Sequence, residues 1–408
     1  VDTSDGETIN GVDRNDTLDG GDGEDTLTVA DGNAFTSNNF SNVSNFEILG
    51  TDNSNAETFD VDVILGQNSL TGVTVAGSDN TTVNNINDGA LQGLAITSSS
   101  TSNVTFDAKN FSSGGTLDAA TISLSAADVN QLSFAELDTL TLESATATNS
   151  INTLDAGDLE NVTASGGTAL TIGAVTTGTN ITEFDGSGLT KALTLDVSAD
   201  LTGGGILVRG GSGKDEVTGT GAGSDNGDTF DLGAGSDEVT VDFGMGTERQ
   251  DVFQYKASSL DSDDVAAGDA EVITGFDGGF VGGTDMSSDI IDFASGVESA
   301  LEVNGQNLGS ANADVTLTNG AQLGNDTNVH VVDAQNGTDL LFQIDLDGNG
   351  SFDANADFEI TLTNQAGQDV VFDASEDQFR LASEGQSSPG GGGNTGGGNT
   401  GGGNTGGG

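Results

Sequence analysis

Acidic residues recur every nine positions in two glycine-rich segments of the 408-residue chain. In the first, the triplets ETI, DTL and DTL begin at residues 7, 16 and 25, and residues 20–28 (GGDGEDTLT) fit G-G-x-G-x-D-x-U-x, with U apolar, at every defined position. In the second, residues 210–218 (GGSGKDEVT) fit it again, and DTF at 228 is followed nine residues later by DEV at 237. Glycines allow tight turns, and each U residue begins a short strand pointing into a core. Stacked turns would bring carboxylates and carbonyls together, an oxygen cage suited to Ca²⁺.

These nine-residue units resemble the calcium-binding RTX β-roll of proteins exported by type I secretion. The resemblance implies Ca²⁺ as the cofactor and six ligands, namely Asp16, Asp22, Asp25, Asp215, Asp228 and Asp237. Arg14 and Lys214 stand where a small or acidic residue would help a cation, which disfavours sites at those two turns. The alternative is a plain Gly/Asp-rich linker, but two complete matches with in-phase partial units argue against it.

A different acidic motif, DLDGNGSFD, occupies residues 345–353 and resembles the first nine positions of an EF-hand calcium loop. The resemblance implies ligation by Asp345, Asp347, Asn349, the Ser351 carbonyl and Asp353. The twelfth position, where an EF-hand has a bidentate Glu, is Ala356. Asp357 follows it and would substitute through a longer loop. The alternative is an acidic turn between two strands.

The charge balance restricts where this protein works and what it binds. Asp and Glu number 65 and Lys and Arg only 8, giving a formal net charge of -57. Such a charge opposes a compact state unless cations bind or salt screens it. We therefore expect a cation-rich setting: a secreted, extracellular or cell-surface location. So few basic residues exclude a nucleic-acid surface, anionic membranes would repel the chain, and no segment is apolar enough for membrane insertion.

The residue types needed for catalysis are scarce. There is no Cys, which excludes thiol chemistry, disulfides and Cys-rich zinc sites. The single histidine, His330, lies in NVHVV, a context that favours a strand over an active site. The scattered basic residues do not supply the groove that β-helix polysaccharide lyases and epimerases need. Acid pairs for glycoside hydrolysis remain open, but acids are too abundant for any pair to be informative. We expect no enzymatic activity.

Between the two clusters the chain repeats an apolar triplet at positions i, i+3 and i+5, about every 22 residues. Positions i+3 and i+5 fall on one face of a strand, so the period predicts a parallel β-solenoid with one coil per repeat. A leucine-rich repeat is disfavoured because no helical segment follows the triplet, and a β-sandwich is the other alternative. The triplets are Val43/Phe46/Ile48, Leu70/Val73/Val75, Leu91/Leu94/Ile96, Leu117/Ala120/Ile122, Leu137/Leu140/Leu142, Leu159/Val162/Ala164, Ile181/Phe184/Gly186 and Gly203/Ile206/Val208.

The region after the second cluster is richer in apolar and aromatic residues. Its succession of DVFQY (251–255), EVITGFD (271–277) and SDIIDF (288–293) resembles the segment that closes the β-roll in RTX proteases and S-layer proteins. An open solenoid end exposes core and strand edges, so we predict a β-rich cap here. The predicted organisation is 1–32, N-terminal RTX-like calcium turns; 33–209, β-solenoid; 210–243, second RTX-like cluster; 244–386, capping and assembly domain; and 387–408, a Gly-Asn-Thr tail.

These patterns together predict an all-β chain: a parallel β-solenoid or β-roll with RTX-type calcium turns and a β-rich C-terminal cap. The combination resembles an S-layer or related extracellular structural protein. That resemblance implies type I export and calcium-dependent self-assembly into a surface layer or filament, with copies of itself as the main partner and cell-surface polysaccharide as a second. The chief alternative is a segment of an RTX adhesin that binds glycans or cell surfaces. An ice-binding solenoid ranks lowest, because the array at Thr139 and Thr141 does not recur in every coil.

Overall fold

The computed structural model shows a chain whose regular structure is almost entirely β. Among the described residues the helical elements are one α-helix, α1 (Ser295–Glu298), and three short 3₁₀ helices (Val61–Val63, Ala90–Gly93 and Leu308–Ser310). The structure describes residues 7–9, 17–29, 40–52, 55–66, 68–97, 102–109, 118–176, 180–199, 204–220, 227–241, 250–256, 270–276, 280–281, 284–285, 289–324, 326–353 and 356–382.

The strands follow one another along the described chain with short connections. In the N-terminal half they are β1 (Glu7–Ile9), β2 (Leu18–Asp19), β3 (Thr26–Val29), β4 (Val43–Ser44), β5 (Ile48–Thr51), β6 (Glu57–Asp60), β7 (Gly72–Val75), β8 (Thr81–Ile86), β9 (Leu94–Ile96), β10 (Ser102–Ala108), β11 (Ala119–Ser125), β12 (Asp128–Phe134), β13 (Thr139–Ala145), β14 (Asn149–Ala156), β15 (Asn161–Gly166), β16 (Leu170–Ile172), β17 (Glu183–Leu189) and β18 (Leu193–Asp196). They continue as β19 (Leu207–Arg209), β20 (Glu216–Thr218), β21 (Thr229–Asp231), β22 (Glu238–Thr240), β23 (Val252–Tyr255), β24 (Glu271–Thr274), β25 (Phe280–Val281), β26 (Thr284–Asp285), β27 (Ile290–Phe293), β28 (Glu302–Val303), β29 (Gln306–Asn307), β30 (Val315–Leu317), β31 (Val329–Asp333), β32 (Leu340–Ile344), β33 (Phe358–Leu362), β34 (Val370–Asp373) and β35 (Gln378–Leu381).

Two large parallel sheets receive these strands alternately. The odd-numbered strands from β1 to β23 stack in order in the first sheet, and the even-numbered strands from β6 to β24 stack in order in the second. Each coil therefore contributes one strand to each sheet before the chain rises to the next coil. This is a β-solenoid of about nine turns, and the predicted fold class is confirmed.

A column of apolar side chains in the first sheet explains the 22-residue period. The strand register pairs Leu140 with Val162, Val162 with Phe184, and Phe184 with Val208. All four side chains are almost completely buried. Burial of one such side chain stabilises the fold by about 1.5–3 kcal/mol. The column thus supplies much of the stability that holds successive coils in register.

Two coils depart from the alignment that the triplets predict. Leu94 pairs with Ile122 rather than with Ala120, so the step there is 28 residues and not 26. In the first triplet Leu49, rather than Ile48, is the fully buried residue. A slip of one residue moves a strand's apolar side chains to the opposite face. The coils differ in loop length, and spacing alone therefore does not determine the register.

Antiparallel strands close the C-terminal end of both sheets. In the first sheet β27 is followed by β35, β34 and β30, and in the second sheet β24 is followed by β33, β32 and β31. The core between them is aromatic: the Phe293 ring lies 5.5 Å from Tyr255, 5.9 Å from Phe342 and 5.7 Å from Phe379, centroid to centroid. This arrangement is the β-rich cap expected from the sequence.

Candidate metal centre

The acidic loop of the cap lies between β32 and β33. Asp345 follows the last residue of β32, and Asp357 precedes the first residue of β33. Gly348 and Gly350 have φ angles of 71° and 80°, which L side chains rarely adopt, and they let the loop turn back on itself. The turn brings together three carboxylates, since ligand oxygens of Asp345, Asp347 and Asp357 all lie within 4.8 Å of one another.

Backbone amides hold two of these carboxylates in place. The N–H groups of Gly348 and Gly350 donate to the two oxygens of Asp345, each at 2.7 Å. The Leu346 N–H donates to Oδ1 of Asp357 at 2.9 Å. Asp345 and Asp357 are at most 2% exposed. Two buried negative charges this close are costly without compensation, so the arrangement favours a cation.

The other residues predicted for this loop have different positions. Oδ1 of Asn349 accepts the N–H of Ser351 at 2.9 Å, and its amide donates to Asp347 at 2.8 Å. The backbone N–H of Asp353 donates to Oδ2 of Asp357 at 2.7 Å. Neither Asn349 nor Asp353 is one of the three side chains that converge. Asp357, which the sequence suggested as a substitute for the missing twelfth residue, is one of them.

The convergent residues fit a calcium ion by their chemistry. Ca²⁺ takes about six to eight oxygen ligands in flexible geometry, and carboxylates are its commonest protein ligands. Asp345, Asp347 and Asp357 would supply part of that shell. Bound there, the ion would neutralise carboxylates contributed from both ends of the loop and thereby tie β32 to β33.

The aspartates of the second nine-residue cluster have a structural role that the sequence did not reveal. The Leu193 N–H donates to Oδ1 of Asp215 at 2.7 Å, and the Asp215 N–H donates to Oδ1 of Asp237 at 2.7 Å. In the same way Ile206 donates to Oδ1 of Asp228 at 3.0 Å. All three aspartates are at most 2% exposed. Each carboxylate therefore accepts a backbone amide of the preceding coil, 22 residues earlier in the sequence.

The same bond occurs outside the nine-residue units. Asp228 donates to Oδ1 of Asp251 at 2.7 Å, and Asp251 donates to Oδ1 of Asp289 at 2.9 Å. At another corner of the solenoid the acceptor is an amide, because the Ala127 N–H donates to Oδ1 of Asn149 at 2.8 Å. The role thus requires an oxygen and not a charge. An Asp or Asn just before a strand, at the coil spacing, is the signal that would have identified it.

The N-terminal cluster is only partly described. Asp16 lies outside the described residues. Asp22 is exposed, whereas Asp25 is buried and its backbone N–H donates to Oε2 of Glu47, 22 residues later, at 2.9 Å. The calcium-ligand assignment of all six RTX-like aspartates stays a prediction.

Comparison with known proteins does not identify a relative. No family model and no curated protein sequence matches this chain. Its function must therefore be inferred from its own residues. Among the described residues, no helix has the length and apolar character that crossing a membrane requires.

Several basic side chains are already engaged with acids. Among the described residues, four of them form ion pairs, which are Lys109–Asp62, Arg209–Glu183, Lys256–Asp231 and Arg380–Asp373. Pairing cancels local positive charge, so these residues do not form a surface for polyanions.

Burial changes the acidity of two carboxyl groups. It raises the pKa of Asp215 to about 6, although the N–H groups of Leu193 and Gly211 act in the opposite direction. In the cap, burial and the nearby carboxylates of Asp377 and Asp292 raise the pKa of Glu298 to about 7. Ionisation of either group is therefore unfavourable in the folded chain.

We expect Glu298→Gln to stabilise the cap at alkaline pH. The unfolded carboxyl has a pKa near 4.5 and the folded one near 7, so its stabilising contribution is complete below the first value and is lost as pH rises through the second. At pH 8 the variant should be more stable than the wild type by about 2 kcal/mol. At pH 4.5 the two should coincide. Thermal melts at fixed calcium concentration across this range measure the difference, and an equal difference at both ends would contradict the prediction. Glu302→Gln, four residues later in the cap, is the control.

Proposed function

We propose that this chain is a calcium-dependent structural protein of the extracellular space that self-assembles into a surface layer or filament. The observation that carries the proposal is the convergence of Asp345, Asp347 and Asp357 in the loop that joins two strands of the cap. It makes closure of the solenoid depend on a cation.

The position of the loop explains how a cation would act on the whole rod. Strand β33, which ends the loop, pairs in parallel with β24 of the solenoid, and β32 pairs antiparallel with β33. An ion that orders the loop would therefore order the strands that cover the last coil. Solenoids are stabilised largely by contacts between neighbouring units, so the state of the end unit matters for the rest.

The solenoid ends favour assembly of one copy onto another. Among the described residues, β6 pairs only with β8 and β1 only with β3, so both sheets have an edge strand at the N-terminal end. At the other end the edge strands are β30 and β31. Edge strands carry backbone groups that can pair with another chain. The acids Glu57 and Asp60 on β6 would repel a second acidic copy, and bound divalent cations would remove that repulsion.

The charge supports an extracellular site of action. A net charge of -57 is best tolerated where divalent cations are abundant. Extracellular calcium modules bind with dissociation constants of about 10⁻⁴–10⁻³ M, a range that suits a site with three carboxylates and no bidentate Glu.

Negative-stain electron microscopy tests the proposal directly. The full chain is imaged in chelator and again after addition of millimolar Ca²⁺. We expect ordered sheets or filaments only with calcium. The double variant Asp345→Asn/Asp347→Asn should need a much higher calcium concentration to assemble, whereas Asp22→Asn, an exposed turn acid far along the chain, serves as the control. Isolated rods under both conditions would contradict self-assembly and favour the adhesin segment.

A further inference from the structure

A small cavity lies inside the solenoid where its last coils meet the cap. Phe230 and Phe253 of the first sheet and Val239 of the second form part of its apolar wall. Three other lining residues have acidic or hydroxyl groups, and they come from three different strands or strand ends. These are Asp237 before β22, Tyr255 at the end of β23 and Glu271 at the start of β24.

The strand register places the two acids one above the other. Glu238 of β22 is paired with Val272 of β24, so the preceding residues, Asp237 and Glu271, occupy equivalent positions in successive coils. Neighbouring strands are about 4.8 Å apart. Asp237 is 2% and Glu271 8% exposed. Oδ1 of Asp237 accepts one N–H, and a carboxylate has further lone pairs to offer.

Tyr255 adds a separate indication of a ligand. Its side chain is 91% buried, since its relative exposure is 9%. A buried tyrosine hydroxyl usually has a hydrogen-bond partner, but this one forms no hydrogen bond with the residues that the structure describes. Its ring packs on Phe293 and Phe358. Burial, followed by the carboxylates of Glu271 and Asp237, raises the pKa of the hydroxyl, so it remains a neutral oxygen.

We propose that this cavity binds a calcium ion between Asp237, Tyr255 and Glu271. The two carboxylates supply charge and hard oxygen ligands, and the Tyr255 hydroxyl oxygen contributes a lone pair directly or through a water. The site differs from the cap loop and from the outer turns, because it lies in the core between the two sheets. An ion there links the first sheet to the second and the last coils to each other. The proposal does not depend on self-assembly.

The composition of the chain provides a selective probe of this cavity. Tyr255 is its single tyrosine, and there is no tryptophan. Terbium(III) occupies calcium sites, and its luminescence is sensitised by a tyrosine only at short range. Titration of the full chain with Tb³⁺, excited at the long-wavelength edge of the tyrosine band, therefore reports on ions beside Tyr255. We expect saturable sensitised emission that Ca²⁺ displaces.

Matched variants separate this site from the others. Tyr255→Phe keeps the ring and should abolish the signal, while Glu271→Gln should weaken Tb³⁺ binding by about tenfold or more. Glu238→Gln, beside Asp237 but on the outer face, should leave it unchanged. Asp345→Asn/Asp347→Asn should also retain the signal.

Two outcomes would overturn the site. One is an absence of sensitised emission from folded wild type, together with a tyrosine emission that does not respond to saturating Ca²⁺. The other is emission that Asp345→Asn/Asp347→Asn removes and Glu271→Gln preserves, which would assign the ion to the cap loop. Circular dichroism verifies folding of each variant, and Glu271→Asp replaces Glu271→Gln if the latter does not fold.

Discussion

Excess chelator at low ionic strength is expected to remove most of the β-sheet signal of this protein, and millimolar calcium is expected to restore it. The reason lies in the carboxylates buried at the coil corners. Asp228, Asp251 and Asp289 form a column linked by backbone N–H bonds, and all are at most 5% exposed. Successive coils are about 4.8 Å apart, so ionised members of the column repel one another at close range. A domain is typically stable by only about 5–15 kcal/mol, and a charge of -57 can exceed that margin.

The measurement is far-ultraviolet circular dichroism during a calcium titration, with the ionic strength matched by NaCl and with Mg²⁺ in parallel. Recovery with NaCl alone would show that screening suffices and that no calcium site is needed. A β-rich spectrum in excess chelator would contradict the prediction altogether. Asp251→Asn supplies an internal check, because Asn149 shows that an amide oxygen can accept the same type of bond. This variant should refold at a lower calcium concentration than the wild type.

The period of the apolar residues was sufficient to predict the architecture. A parallel solenoid repeats one coil at the strand spacing, so a residue that faces the core in one coil has an apolar counterpart about 22 residues later, as Leu140 and Val162 do. The second sheet was harder to find. Its buried residues include Phe59, Val83 and Phe106, but the loops that separate them from the triplets vary in length and obscure their spacing.

The roles of the aspartates could not be predicted in the same way. In the pattern G-G-x-G-x-D, an Asp whose oxygen contacts a cation and an Asp whose oxygen accepts an N–H of the previous coil look identical. Asp215 accepts such a bond from Leu193, a contact that depends on coil stacking and not on the local turn. The cap loop was more predictable because its motif is local. Even there, the participation of Asp357 depended on how β33 leaves the loop.

Phe293→Ala is expected to open the cap while leaving the middle of the solenoid folded. Phe293 is 1% exposed, and its ring contacts the rings of Tyr255, Phe342 and Phe379. It therefore joins the last parallel strand of the first sheet to both antiparallel extensions. Truncation of a buried Phe costs about 3–5 kcal/mol. Since solenoid units depend mainly on their neighbours, the loss should fall on the cap.

Hydrogen exchange by mass spectrometry in saturating calcium locates the effect. Amides of β31, β32 and β35 should exchange at least about a hundredfold faster in Phe293→Ala, as expected for a local loss of about 3 kcal/mol or more, while those of β13 and β15 should be unaffected. Phe106→Ala is the matched control, because Phe106 is equally buried and packs on Phe134 at 5.7 Å in the middle of the rod. Its effect should have the reverse distribution, with faster exchange in β10 and β12 and an unchanged cap. Uniform acceleration along the whole chain in both variants would mean that cap and solenoid unfold as one unit. The cap loop and the core cavity would then act on a single cooperative transition, and calcium at either site would stabilise every coil equally.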